Sequence, residues 1–491
     1  MPSKLNSFLH GAALVGVTII IFIAGYVTAN QISTLAQDEG WFSIPPQIIA
    51  TETPLYKELA SRDAIFSNKE AVLQKRGELT AAKASFIFAD LTDLSLGYYK
   101  DGALQKQFPI RARGKAGSFF ETPNGFYTIQ SKEENHFSTI GEVWMPWSMH
   151  FFGNYFIHGW PYYPDGTPVS EKFSGGCIRL SSADAKELFY LTQRGLPVLV
   201  YSGLTASTSA AGKYYRKLSA VAGAHNPVVS APAVLAADFE SGQILWEKNK
   251  DEPHPIASIT KLMTALAAVE SINRFKVLTF PEDLVGLPQD SSELAAGEKL
   301  KSEDLLYPLI LRSSNAVAEL YKRQVWGFVG IMNQKAKAIG LARTKFADAD
   351  GASADNISTA EDTFKLLRYI ATYKKPIFDL SGKSRHALTA ASGEKHNWAN
   401  VNWPTDEKFL GGKAGSTTAA KETMAGVYNV RFAEAGERPV AVIVLGADDR
   451  IQDVRAILTY LEDNFVYGDV FASDNKKRII REGASIYEVF E

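Results

Sequence analysis

The sequence predicts two folded domains in tandem behind an apolar N-terminal segment, a mostly-β domain first and an α/β (α+β) domain second. Three observations lead there. At 491 residues the chain exceeds what one hydrophobic core usually supports. From Ala84 short β-rich runs alternate with turn residues, and from Ala233 hairpin strands give way to helical stretches. Between them, Leu204 to His225 is rich in Ala, Ser, Thr and Gly, the composition of a linker.

Composition narrows the classes. With 46% hydrophobic and 22% charged residues the chain reads as ordinary globular protein rather than long disorder. A formal net charge of −2 gives no reason to expect a nucleic-acid partner. A lone cysteine forbids internal disulfides. No metal-ligand or nucleotide motif occurs, so no cofactor is expected.

In chain order, residues 1–30 form a transmembrane anchor or a signal. Ala12 to Ala29 carries no charge, follows Lys4, and is not followed by Lys or Arg until Lys57. That pattern predicts an N-in, C-out orientation with the folded domains extracytoplasmic. A cleaved signal peptide competes, since Val27-Thr28-Ala29 suits a small-residue cleavage site, but the run is long for a signal core and an uncleaved anchor is favoured. Residues 31–81 read as a stalk broken at Pro45-Pro46 and a spacer helix from Pro54 to about Leu79. Leu55, Leu59, Phe66 and Leu73 set the helical period of that spacer or brace.

The first domain spans 82–203. Ser85–Ala89, Leu94–Tyr99 and Gln105–Arg111 read as strands, with a hairpin turn at Asp101-Gly102. Asn124-Gly125 and Asp165-Gly166 are further turns. Ser182 to Arg194 reads as a capped helix stopped by Gly195, and Pro197–Tyr201 as a closing strand. The linker, 204–227, carries a basic island, Lys213-Tyr214-Tyr215-Arg216-Lys217, expected as a solvated face. The second domain, 228–467, opens with a hairpin, Ala233–Asp238 and Gln243–Lys248. The tail, 468–491, has a Lys476-Lys477-Arg478 cluster and no readable motif.

The chemistry concentrates first between His158 and Arg179. Cys177 lies between a glycine pair, Gly175 and Gly176, and Arg179, with His158-Gly159 upstream. A thiol near neutral pH is mostly protonated, so a nucleophilic cysteine needs a base or a positive charge beside it. Glycines before it leave room for a carbonyl and free N–H groups to hold an oxyanion. A buried structural cysteine is the plain alternative. The pattern His158-Gly159, then Ser174-Gly175-Gly176-Cys177-Ile178-Arg179, resembles the L,D-transpeptidase family. Thr122-Pro123-Asn124-Gly125-Phe126-Tyr127-Thr128-Ile129, Met145-Pro146-Trp147-Ser148-Met149 and Tyr155-Phe156-Ile157 extend the resemblance over about Ala82 to Ser202.

A second set lies beyond Ala233. Ser258 and Lys261, three apart, share one face of a helix turn, so a lysine of lowered pKa can take the serine proton. Ser313-Ser314-Asn315 opens a later helix, and Lys413-Ala414-Gly415 lies before the strand-like Glu422 to Arg431. These three resemble the penicillin-binding proteins of the D-alanyl-D-alanine carboxypeptidase family, with a serine β-lactamase/penicillin-binding-protein-like fold. The resemblance implies Ser258 as nucleophile, Lys261 as general base, Ser313 and Asn315 as proton relay and substrate grip, and Lys413 with Gly415 at the substrate carboxylate. The family's third motif has threonine where Ala414 stands. A lost hydrogen bond to a charged group costs roughly 1.5–3 kcal/mol, although Ser416 or Thr417 could substitute.

The two resemblances together imply a tethered enzyme acting on peptidoglycan stem peptides, with β-lactams as covalent inhibitors. Cys177, activated by His158, would make 3→3 cross-links, with N–H groups around Gly176 and Cys177 at the oxyanion, Ser174 and Gly175 beside them in the substrate-binding loop, and Arg179 bracing the loop or the substrate carboxylate. Ser258 would trim D-Ala–D-Ala. Two alternatives stay open: a degenerate second domain that only binds peptidoglycan, and an anchored wall-binding scaffold without turnover.

Overall fold

The computed structural model describes residues 68–170, 174–203, 213–217, 226–288, 290–402, 408–434 and 436–469. The candidate anchor, the stalk and the tail beyond Asp469 lie outside the described residues. Among those described, no helix is long and apolar enough to cross a membrane.

The first domain is two sheets packed face to face. One runs Ala103–Pro109, Ser95–Lys100, Phe86–Asp90, Pro197–Tyr201, Gly125–Thr128, and the other Ser131–Ser138, Val143–Phe152, Tyr155–His158, Ile178–Arg179. Alternate residues of both point inward, so Ile87, Leu96, Phe108, Phe151, Ile157, Ile178 and Val198 build one core. The Asp101-Gly102 turn takes positive φ at both residues and joins the paired Lys100 and Ala103, as a tight hairpin requires. The expected helix from Ser182 ends earlier, at Leu191. Ser181 caps its start and the Thr192 hydroxyl donates to Leu188 O, 2.8 Å, at its end.

The described end of the brace is a helix; of the residues expected to set its face, Leu55, Leu59 and Phe66 lie outside the described residues and Leu73 is exposed. Over Asn68–Ala81, Val72, Lys75 and Leu79 are buried against Phe86, Phe88 and Leu199. Arg76 lies over the Phe88 ring, 4.4 Å from its centroid, and donates to Tyr99 OH at 2.9 Å. The helix clamps the outer face of the first sheet.

In the second domain a seven-stranded sheet separates two cores. Phe409–Thr417, Lys421–Glu434, Gly436–Ala447, Ala233–Asp238 and Ile244–Lys248 form its main body. One face packs the helix Arg450–Asn464 through Val454, Ile457 and Leu461. The other packs the remaining helices around Thr260–Ser271, which is buried on nearly every side.

Of the region read as a linker, residues 204–212 and 218–225 lie outside the described residues, but one stretch within it is structured. Lys213–Lys217 is a strand at the edge of this sheet, paired antiparallel with Phe465–Asp469. Tyr215 anchors it, its hydroxyl donating to the buried Asp238 carboxylate at 2.6 Å. Nor are the domains independent bodies, since all described residues belong to one compact unit running from Ala64. The helix end at Ala338 joins the first domain's core, and a Cβ on Gly125 would lie 2.5 Å from Ala338 O. Between the domains, Lys335 Nζ, fully buried, contacts the Glu270 carboxylate at 2.9 Å, Tyr369 OH at 3.0 Å and Tyr127 OH at 3.1 Å. Breaking a buried ion pair by removing one partner costs about 3–5 kcal/mol. Lys335→Met is therefore expected to lower the thermal unfolding midpoint of the whole described body, rather than of one domain.

Candidate active sites

Strand register brings the cysteine and histidine together. Tyr155–His158 runs parallel to Ile178–Arg179, with Ile157 opposite Ile178 and His158 opposite Arg179. Cys177, one residue earlier, therefore sits beside Phe156, whose N–H bonds the sulfur, and His158 is its neighbour one diagonal step away on the same face. His158 is buried, and its Nδ1 lies 2.6 Å from Gly159 O. A carbonyl only accepts, so Nδ1 carries the proton and Nε2 is left as the basic lone pair. The histidine is thus preset as a proton acceptor.

No hydrogen bond joins His158 to Cys177 among the described residues; the thiol donates to Asn154 O at 3.6 Å. Burial pushes the Cys177 thiol up to about 11 and the His158 imidazole down to about 3. Both are neutral at rest. Proton transfer must then accompany attack rather than precede it, and catalytic contacts of this kind tighten when substrate arrives.

Ser174 holds the loop. Its hydroxyl donates to Cys177 O and accepts from Gly176 N at 3.0 Å. This corrects one expectation, because the Gly176 N–H is engaged within the loop instead of being left for an oxyanion. Gly176 itself, at φ +120°, is required: a Cβ there would lie 2.1 Å from a Tyr155 ring carbon. Gly175 is exposed with open space around it. Arg179, buried, accepts Arg111 N at its carbonyl, donates its own N–H to Ala112 O, and lies 5.7 Å from the Trp160 ring. It braces the loop.

The second site is more tightly wired. Ser258 sits in a single 3₁₀ turn at the head of Thr260–Ser271. Ala257 before it has φ +46°, a conformation costing on the order of 1–3 kcal/mol that surrounding structure must impose. Two glycines impose it: a Cβ on Gly351 would lie 2.1 Å from Ala257 O, and one on Gly415 would lie 2.7 Å from Ser258 N. Lys261 Nζ donates to Ser258 Oγ at 3.1 Å, Asn315 Oδ1 at 2.7 Å and Asp350 O at 2.5 Å, using all three of its hydrogens.

Burial lowers Lys261 to about 8 against the opposing pull of Asp350, Asp348 and Asp290. Acylation of Ser258 by a penicillin should therefore speed up with pH through a midpoint near 8. A rate flat across that range would remove Lys261 from the role of base.

The rest of the site is arranged around these two. Asp290, which no sequence motif marked, accepts from Ser314 Oγ at 2.5 Å and Ala316 N at 3.1 Å and so fixes the turn before Asn315. Ser313 is held at φ +57° in that turn. Lys413 is buried and donates to Asn402 Oδ1 at 2.6 Å, and burial depresses its pKa strongly. The Ala414 methyl points the other way, into the cluster containing Met424, Val444 and Ala447. A threonine there would bring a hydroxyl into apolar packing. Thr417 Oγ1 is engaged with Ala420 N, which leaves Ser416 as the exposed hydroxyl of this strand.

Comparison with known proteins finds a family match in each of the two domains. Residues 84–200 match the L,D-transpeptidase catalytic domain, and residues 220–449 match D-alanyl-D-alanine carboxypeptidase. The D-alanyl-D-alanine endopeptidase of Escherichia coli is 25% identical over 265 residues, covering 50% of this chain and 82% of that protein. The D-alanyl-D-alanine endopeptidase of Pseudomonas aeruginosa is 32% identical over 160 residues, covering 30% of this chain and 49% of that protein, so the match spans about half of it. A crystal structure of D-alanyl-D-alanine carboxypeptidase from Mycobacterium tuberculosis aligns with TM-score 0.43 and 22% identity, over 49% of this chain and 94% of that one. The chain joins an L,D-transpeptidase catalytic domain to a domain of the D-alanyl-D-alanine carboxypeptidase family.

Proposed function

We propose that the chain is a bifunctional peptidoglycan-remodelling enzyme with two acyl-transfer sites. At the first, His158 Nε2 takes the Cys177 proton as sulfur attacks the third-residue carbonyl of a stem tetrapeptide. The C–N bond to D-alanine breaks, the proton passes to the leaving amine, and a thioester remains. The side-chain amine of a neighbouring stem then attacks the thioester and gives a 3→3 cross-link, returning the thiol. At the second, Lys261 takes the Ser258 proton as Oγ attacks the carbonyl of the penultimate D-alanine; the C–N bond to the terminal D-alanine breaks, the proton passes to its leaving amine, and water then hydrolyses the ester and restores the serine hydroxyl. Acting on this polymer requires an extracytoplasmic position, consistent with the apolar Ala12 to Ala29 run as an anchor.

The single observation that carries the reading is the intact Ser258–Lys261–Asn315 contact set beside a preset His158 tautomer. A domain retained only for binding has no need to hold a lysine at about 8 against its serine.

The two activities order themselves chemically, since trimming a pentapeptide produces the tetrapeptide donor the cysteine site takes. With pentapeptide stems alone, Ser258→Ala is expected to stop 3→3 cross-linking although Cys177 is intact, and added tetrapeptide should restore it. Cross-linking of pentapeptide stems by Ser258→Ala at the parent rate would reject the sequence.

A further inference from the structure

The loop that carries Cys177 is walled by groups that a residue of the other domain holds. Gly176 is enclosed on one side by the Tyr155 ring and on the other by Phe120 O, 3.2 Å from where a Cβ would be. Lys374, fully buried in the second domain, reaches both walls. Its Nζ donates to Tyr155 OH at 3.1 Å, and to the carbonyls flanking Phe120, Phe119 O at 3.2 Å and Glu121 O at 2.5 Å. Those three bonds use every hydrogen of the ammonium. Glu270 lies 3.9 Å away and supplies the opposing charge, with Lys335 and the Glu121 carboxylate also nearby.

A second strut reaches the same loop through the main chain. Glu270 ends the helix whose first turn carries Lys261. Its carbonyl accepts from Asn154 N at 3.0 Å, and Asn154 O in turn accepts from the Cys177 thiol. Gly153, at φ +50°, makes the approach possible, because a Cβ there would lie 2.4 Å from Glu270 O. The sulfur is therefore seated on a turn that rests on the serine-bearing helix.

We propose that the second domain builds the cysteine site as well as its own, with Lys374 as the positioning residue that holds Tyr155 and the Phe119–Glu121 segment against Gly176. Its effect is to keep the partly buried thiol aimed, which rests on the reading of Cys177 as the nucleophile.

The test uses the full chain and the single thiol. Lys374→Met removes the clamp, and Tyr155→Phe removes only the hydroxyl while keeping the ring on Gly176. If the clamp sets the loop, each variant should expose the partly buried thiol further. Alkylation by iodoacetamide at neutral pH should then rise, by about tenfold for each unit the thiol pKa falls, while kcat for D-alanine release from tetrapeptide falls and KM stays. Penicillin labelling of Ser258 should be unchanged, which shows that the second domain is folded. Alkylation and kcat both at parental values in both variants would overturn the proposal. Faster alkylation in both variants, with no turnover of tetrapeptide even by the parent, would uphold the positioning role and reject the substrate reading.

Discussion

Cys177→Ala is expected to abolish D-alanine release from tetrapeptide stems and all 3→3 cross-linking, a loss on the order of a thousandfold or more. The chain has one thiol, and the thioester route has no other thiol to use. Trimming of pentapeptide stems should survive, since Ser258 and its lysine are built from separate elements of the second domain. Retention of that activity matters, as the domains share a buried seam and a misfolded variant would lose both. Product analysis by mass after incubation with each stem separates the outcomes. Cross-links formed by Cys177→Ala would show that the nucleophile lies elsewhere.

The second large effect concerns Ser258 and Lys261. A fluorescent penicillin should label the chain covalently, and Ser258→Ala should remove that label from this domain. Lys261→Gln keeps the serine but replaces an amine that can lose its proton with an amide that cannot. Acylation should slow by about a hundred- to ten-thousandfold, the usual worth of a positioned general base. Because folded Lys261 titrates near 8, raising pH should speed labelling of the parent but not of Lys261→Gln. A variant labelled at the parent rate would mean that another group takes the proton.

How much of this the sequence discloses depends on distance along the chain. The cysteine and serine sites are local patterns, such as Ser258 with Lys261 and Ser174 with Cys177. Each needs only one turn or loop to become a geometry. What that geometry adds is directional. His158 shows its basic nitrogen only once Nδ1 is seen against Gly159 O, and Gly176 shows its N–H to be engaged only once Ser174 is in place.

The interdomain seam was not legible for a different reason. Glu270, Lys335 and Lys374 lie in or beside three helices far apart in sequence, and each alone looks like an ordinary surface charge. Only their convergence reveals a cluster. Composition averages over the stretch around Tyr215, whereas a single hydroxyl on Asp238 suffices to pin a strand there. The brace helix shows the same limit: apolar Leu73 is exposed while Lys75 is buried, its amine donating to Glu78 at 3.1 Å.

The most direct measurement of the central claim locates the two acyl groups on one chain. The protein would be mixed with tetrapeptide stem and a penicillin, quenched in acid during turnover, digested and mapped by mass. The account predicts a stem lacking its D-alanine on the peptide that contains Cys177, and a penicilloyl group on the peptide that contains Ser258. Both adducts on one of these residues, or a stem adduct on any residue other than Cys177, would contradict it.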